Sequence, residues 1–151
     1  MANYAIFGNA GAASTTAATA GILKVDNPSS TTMAGAKIYQ FGLGPGANSA
    51  DETYQIRIKR QTTAGTWTAV TPSPLDKASA SVSSAGSAST AAGSAGVELW
   101  RMGYHMRAGL AWTFIPGGEL INAYAFSNGL IAEYVFAQGT SVQGGVIYFS
   151  E

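Results

Sequence analysis

From Glu52 to Arg60, Tyr54, Ile56 and Ile58 alternate with Gln55, Arg57 and Lys59, the period of two that belongs to a strand with one buried and one wet face. Related short runs of aromatic and β-branched residues, broken by Gly, Pro, Asn and Asp, fill much of the rest. They are Tyr4 to Phe7, Gly21 to Val25, Ala36 to Leu43, Thr66 to Val70, Val97 to Arg107, Leu110 to Ile115, Glu119 to Phe126, Leu130 to Ala137 and Gly145 to Phe149. Helical periodicity is nearly absent. About ten short strands separated by turns predict an all-β fold, an antiparallel jelly roll or β-sandwich in a single domain.

The turn residues suggest how strands connect. Gly65 lies between the run ending at Arg60 and the one starting at Thr66, which predicts a β-hairpin there. Pro116-Gly117-Gly118 and Ser127-Asn128-Gly129 read as hairpin punctuation in the last third, an antiparallel meander or half a jelly roll. The reading divides the chain into an N-terminal strand and extended arm, 1–20, and a sandwich, 21–151.

Two segments stand apart. Residues 8–20, GNAGAASTTAATA, hold no large apolar side chain and no charge, and read as an arm that lies in a groove or adds to an edge strand. Deletion of residues 2–20 is then expected to leave the fold intact. Residues 78–96 form a low-complexity Ala/Ser/Gly stretch with Val82 as its only bulky member, which predicts a long extended or flexible loop.

Composition narrows the function. The chain has no cysteine, one histidine, eight acidic and eight basic residues in 151. General acid-base catalysis and metal binding both need clustered titratable groups, so the sequence predicts no enzyme, no catalytic residue, no cofactor and no metal site. Eight balanced basic residues make no counterion-releasing surface, which argues against nucleic acid as a partner. The one basic cluster, Arg57, Lys59 and Arg60, reads as a solvated strand face. No run is long and apolar enough for a membrane helix. Met1 to Phe7 lack a basic n-region and an apolar h-region, and with no cysteine this predicts synthesis in a bacterial cytoplasm. A charged fraction of 11% and a formal net charge of zero favour self-association, so a homo-oligomer is expected.

Individual motifs add little chemistry. Phe41-Gly42-Leu43-Gly44-Pro45-Gly46 lacks dinucleotide spacing and leads into a strand, so it reads as a plain loop. Glu98, Glu119 and Glu133 lie on different predicted strands and read as salt-bridge partners of Arg57, Arg101 or Arg107. His105 has no second ligand and reads as a core or subunit-interface histidine. The candidate interface residues are Trp67, Trp100, Arg101, Tyr104, His105, Arg107 and Trp112. A rival reading is a small carbohydrate-binding jelly roll, in which Trp67, Trp100 and Trp112 form an exposed platform for a glycan.

The stretch Glu52 to Asp76, ETYQIRIKRQTTAGTWTAVTPSPLD, with the Ala/Ser-rich stretch after it, resembles the capsid decoration, or cement, proteins of tailed bacteriophages. Met102 to Glu119, with its basic-aromatic strand and Pro116-Gly117-Gly118-Glu119 turn, resembles them too. The resemblance implies a jelly-roll virion protein on the capsid exterior, often a trimer, that bridges neighbouring major capsid protein subunits without catalysis. A tail or fibre component differs only in its place on the particle.

Overall fold

The computed structural model describes residues 2–10, 21–26, 35–44, 51, 53–63, 65–76, 80–81, 83–91, 95–105, 107–122, 129–135 and 143–151. Along the chain these form β1 (Asn3–Ala10), β2 (Gly21–Asp26), β3 (Lys37–Gly44), β4 (Thr53–Gln61), β5 (Thr66–Val70), β6 (Ser73–Pro74), β7 (Ser84–Ala91), β8 (Ala95–His105), β9 (Leu110–Thr113), β10 (Leu120–Ile121), β11 (Gly129–Tyr134) and β12 (Gln143–Ser150). Among the described residues there is no helix, and so none long and apolar enough to cross a membrane.

The pairings are nested. β1 pairs with β12, β2 with β11, β3 with β10 and β9, β4 with β8, and β5 with β7, all antiparallel. The chain therefore runs out to β6 and returns alongside itself. Further pairings, β12 with β3, β11 with β4, β2 with β7 and β1 with β6, roll this ribbon into two sheets. The first has the order β10-β3-β12-β1-β6, with β9 also on β3; the second has β5-β7-β2-β11-β4-β8. Nested antiparallel strands rolled into two facing sheets are a jelly roll.

The sheets bury one face each against the other. Ile6, Ile38, Phe41, Ile147 and Phe149 of the first meet Leu23, Val25, Ile56, Leu130 and Tyr134 of the second, all fully or almost fully buried. Each large apolar side chain contributes about 1.5–3 kcal/mol by leaving water. Tyr4 stacks on Phe149 with ring centroids 5.4 Å apart.

Several connections differ from expectation. β4 and β5 do not form a hairpin: β11, β2 and β7 lie between them, and β5 takes β7 as its partner. Alternation fixes which face of a strand is buried but not which strand lies beside it. Pro116-Gly117-Gly118 is not a hairpin turn either, because β9 and β10 lie end to end along the same side of β3. Gly129 is the first residue of β11, and the rest of the expected Ser127-Asn128-Gly129 turn lies outside the described residues. Of the strand expected from Glu119 to Phe126, the described part is β10.

The small-residue segments are also corrected. Residues 84–91 of the expected loop are a strand, β7. A Cβ on Gly8 would stand 2.5 Å from the Ser87 Cβ, so β1 and β7 approach closely because both carry small residues there. Residues 8–10 of the expected arm continue β1, and residues 11–20 lie outside the described residues. Removing residues 2–20 would take away a whole strand with the buried Tyr4 and Ile6, so that deletion does not spare the fold.

The middle of the chain is tied to both ends. Leu75 N donates to Asn3 O at 2.9 Å, and Ser83 Oγ donates to Glu151 Oε2 at 2.8 Å. Ala2 and Glu151 exchange backbone hydrogen bonds of 2.9 and 3.1 Å.

Candidate functional site

Outward-facing positions of the second sheet bring charges together. Arg57 of β4 lies opposite Glu133 of β11 and opposite Arg101 of β8. Arg57 Nε donates to Glu133 Oε1 at 2.7 Å, and Lys59 Nζ reaches the same oxygen. Arg57 also stands 3.6 Å from Glu98, which Arg101 grips through two hydrogen bonds of 2.8 and 2.6 Å. Glu133 is 0% exposed and Lys59 is buried, so Arg57 and Lys59 do not form a solvated face. They are half of an ion-pair network, which is how a sheet keeps charges that water does not reach. The hydrogen bond from Arg101, opposed by partial desolvation and helped by the charges of Arg101 and Arg57, holds the Glu98 carboxyl below its ordinary range. Glu98 and Glu133 thus serve arginine, as expected, whereas Glu119 accepts from Gly117 N at 2.9 Å.

Beside this network, Lys24 of β2 is ion-paired to Asp26, whose carboxyl burial pushes up against the opposing pull of Lys24. The Lys24 ammonium also stands 5.6 Å from the Trp67 ring centroid, a cation–π contact.

The sequence-selected residues fall in separate places. Tyr104 is 5% exposed and belongs to the core, in the same buried cluster as Tyr54 and Tyr134. Its ring is used within the chain. Arg101 is exposed beside Glu98, His105 Nε2 lies 2.9 Å from Asp51 Oδ1 at the surface, and Arg107 is exposed in the turn after β8. Trp67 lies on β5 at one edge of the second sheet, and Trp100 on β8 at the other. Trp100 is partly buried, 6.3 Å from Phe41 and 6.1 Å from Phe114, and it meets Trp112 across the rim of the sandwich at 5.8 Å. Two of the three tryptophans come together; they do not form a platform with Trp67. Among the described residues no three metal-ligating side chains gather.

The rim continues along a sheet edge where Ile115 and Ile121, which sequence reasoning missed, follow Trp112. Between β9 and β10, Gly118 N donates to Ile115 O at 2.8 Å and Gly117 has φ +85°, a type II turn with Pro116 at its second position. The Gly117–Glu119 bond stiffens the turn from the other side. It carries Ile115, 77% exposed, and is flanked along the sheet edge by Trp112 at 37% and by the exposed Ile121.

A second surface lies on the outward face of the first sheet. Phe7 of β1, Val146 of β12, Gly42 of β3 and Ala111 of β9 follow one another across the sheet in register. They line a groove of about 680 Å³ together with Gln40, Gly44, Gly144 and Tyr148. Phe7 is 56% exposed and meets Tyr148 edge-on at 6.4 Å, while Tyr39 stacks on the other side of Tyr148 at 6.3 Å. Burial pushes the Tyr39 phenol up, and the neighbouring Tyr148 phenol adds to the shift. The sequence did carry a signal: Phe7, Val146 and Tyr148 are apolar or aromatic at positions where alternation calls for polar residues.

Comparison with protein-family models, curated proteins and solved structures yields no match, so the functional reading rests on these surfaces.

Proposed function

We propose that this chain is a virion structural protein that decorates a phage capsid from outside and clamps neighbouring major capsid protein subunits, acting as an oligomer, in trimers. The observation that carries the reading is the exposed apolar side chains along one sheet edge, Trp112 on β9, Ile115 on a stiff type II turn and Ile121 on β10. Apolar side chains grouped on an edge mark a surface that is covered by a partner. The nested jelly roll supports it, because this architecture is used in capsid proteins. The low charge supports it too, since little desolvation of ions opposes docking. Stabilisation of the lattice would then come from binding the assembled form in many copies.

The test adds the purified chain to heads assembled from the major capsid protein encoded in the same genome, and follows co-sedimentation and attached stoichiometry. Saturable attachment, lost in Ile115→Asp with unchanged thermal unfolding, is the expected result. No attachment at about 10 μM, a strength typical of weak specific contacts, overturns the reading. Light scattering across a dilution series checks the trimer independently.

A further inference from the structure

The groove on the outward face of the first sheet is a different surface from the apolar edge, and its lining has a distinct chemistry. At about 680 Å³ it has the size of a small-ligand site. No charged side chain lines it among the described residues. One wall is aromatic, Phe7 with Tyr148, and the polar groups within reach are the Gln40 amide and the Tyr148 hydroxyl. The floor is cut low by glycine: a Cβ on Gly44 would meet none of the described residues within 4 Å.

These properties select among ligands. An anion or cation finds no partner in an uncharged lining. A peptide strand finds no ladder on the floor, because β12 is already paired with both β1 and β3, and Gly42 of β3 pairs with Val146 on one side and Ala111 on the other. A pyranose fits both demands. Its face of C–H groups, slightly positive, stacks on the negative face of an aromatic ring, and its hydroxyls take side-chain donors and acceptors such as an amide and a phenol.

We infer that this groove binds a neutral oligosaccharide, with a sugar ring stacked on Phe7 and its hydroxyls bonded to Gln40 and Tyr148. The site shares no residue with the tryptophans Trp67, Trp100 and Trp112, and it does not depend on the decoration reading. On a particle it would give each copy a weak hold on a glycan surface, multiplied by copy number.

The experiment titrates the isolated full chain with cellohexaose, maltohexaose, mannohexaose and N-acetylchitohexaose, followed by NMR of the aromatic resonances. An oligogalacturonate and a proline-rich decapeptide are run beside them. At least one neutral glycan should saturate below about 10 mM, with Phe7 and Tyr148 signals moving. Phe7→Ala should weaken that binding about tenfold, as the loss of one stacking partner does. Gly44→Val, whose Cβ meets no described residue within 4 Å, puts bulk into the groove and should abolish binding with unfolding unchanged. Saturation by none of the neutral glycans overturns the inference. So does binding that survives both substitutions, or binding of the acidic glycan or the peptide alone.

Discussion

The two outward faces of the sandwich follow the same strand period and use it in opposite ways. On the second sheet the outward positions hold Arg57, Lys59, Glu133, Lys24 and Asp26, and the charges neutralise one another within the chain. On the first sheet the corresponding positions hold Phe7, Gly42, Val146 and Tyr148, and the exposed ring of Phe7 meets Tyr148 by an edge contact. The contrast separates two jobs. The charged face is finished when the chain folds, whereas the neutral face keeps apolar area open, which costs nothing in stability and leaves something for a partner to cover.

Substitutions can break that contrast. The largest effect is expected at Glu133: Glu133→Ala leaves Lys59 buried without its carboxylate and should cost about 3–5 kcal/mol in urea unfolding, while Gln40→Ala on the other face should stay within about 0.5 kcal/mol. Equal losses would erase the distinction. A pair of glycines gives a finer comparison. A Cβ at Gly129 would overlap Asp26 Oδ1 and stand 2.9 Å from Val25 O, whereas one at Gly44 meets no described residue within 4 Å. Gly129→Ala should therefore cost about 1–3 kcal/mol by overpacking, and Gly44→Ala should be close to neutral in the same assay.

The smallest effects concern pH and sharpen the picture of the charged face. The Asp26 carboxyl is raised in the fold, so its contribution is full below the unfolded carboxylate range and is lost as pH rises through the folded value. Glu98 is lowered, so its contribution is present above the unfolded range and is lost as pH falls through the folded value. Because Glu98 and Arg101 are partly exposed, the Glu98 share should be no more than about 1 kcal/mol and should shrink in high salt. Thermal unfolding from pH 3 to 7 should show Asp26→Asn removing the first slope and Glu98→Gln the second. A slope of the opposite sign in either case would contradict the assigned cause.

Much of the fold was legible because burial acts on alternation, residue by residue. The strands around Ile56, Leu130 and Ile147 announce themselves in this way, and the all-β class follows. Partners were not legible, since nothing in Thr66 to Val70 says that it lies beside Ser87 instead of beside its sequence neighbour Arg60. β7 was hidden for a related reason: strand signals weigh bulky side chains, and Ser87 has to be small because Gly8 crosses close to it. At the surfaces, the tryptophans drew attention by size, yet Trp100 is partly spent on Phe41 and Phe114. Ile115 and Phe7 were the better indicators, as apolar residues in a turn and at an outward position.

The nested pairing has a consequence for the order in which this protein can be made. β12 sits between β1 and β3, so the first sheet has no centre until the last strand has left the ribosome. Until then β1 lacks its long in-sheet partner, and β2 and β7 of the facing sheet meet its inner face. Nearly every contact joins distant parts of the chain, a topology associated with slow folding and exposed intermediates. The first sheet therefore closes only after β12 has been made, when residues 2 and 151 can exchange their hydrogen bonds.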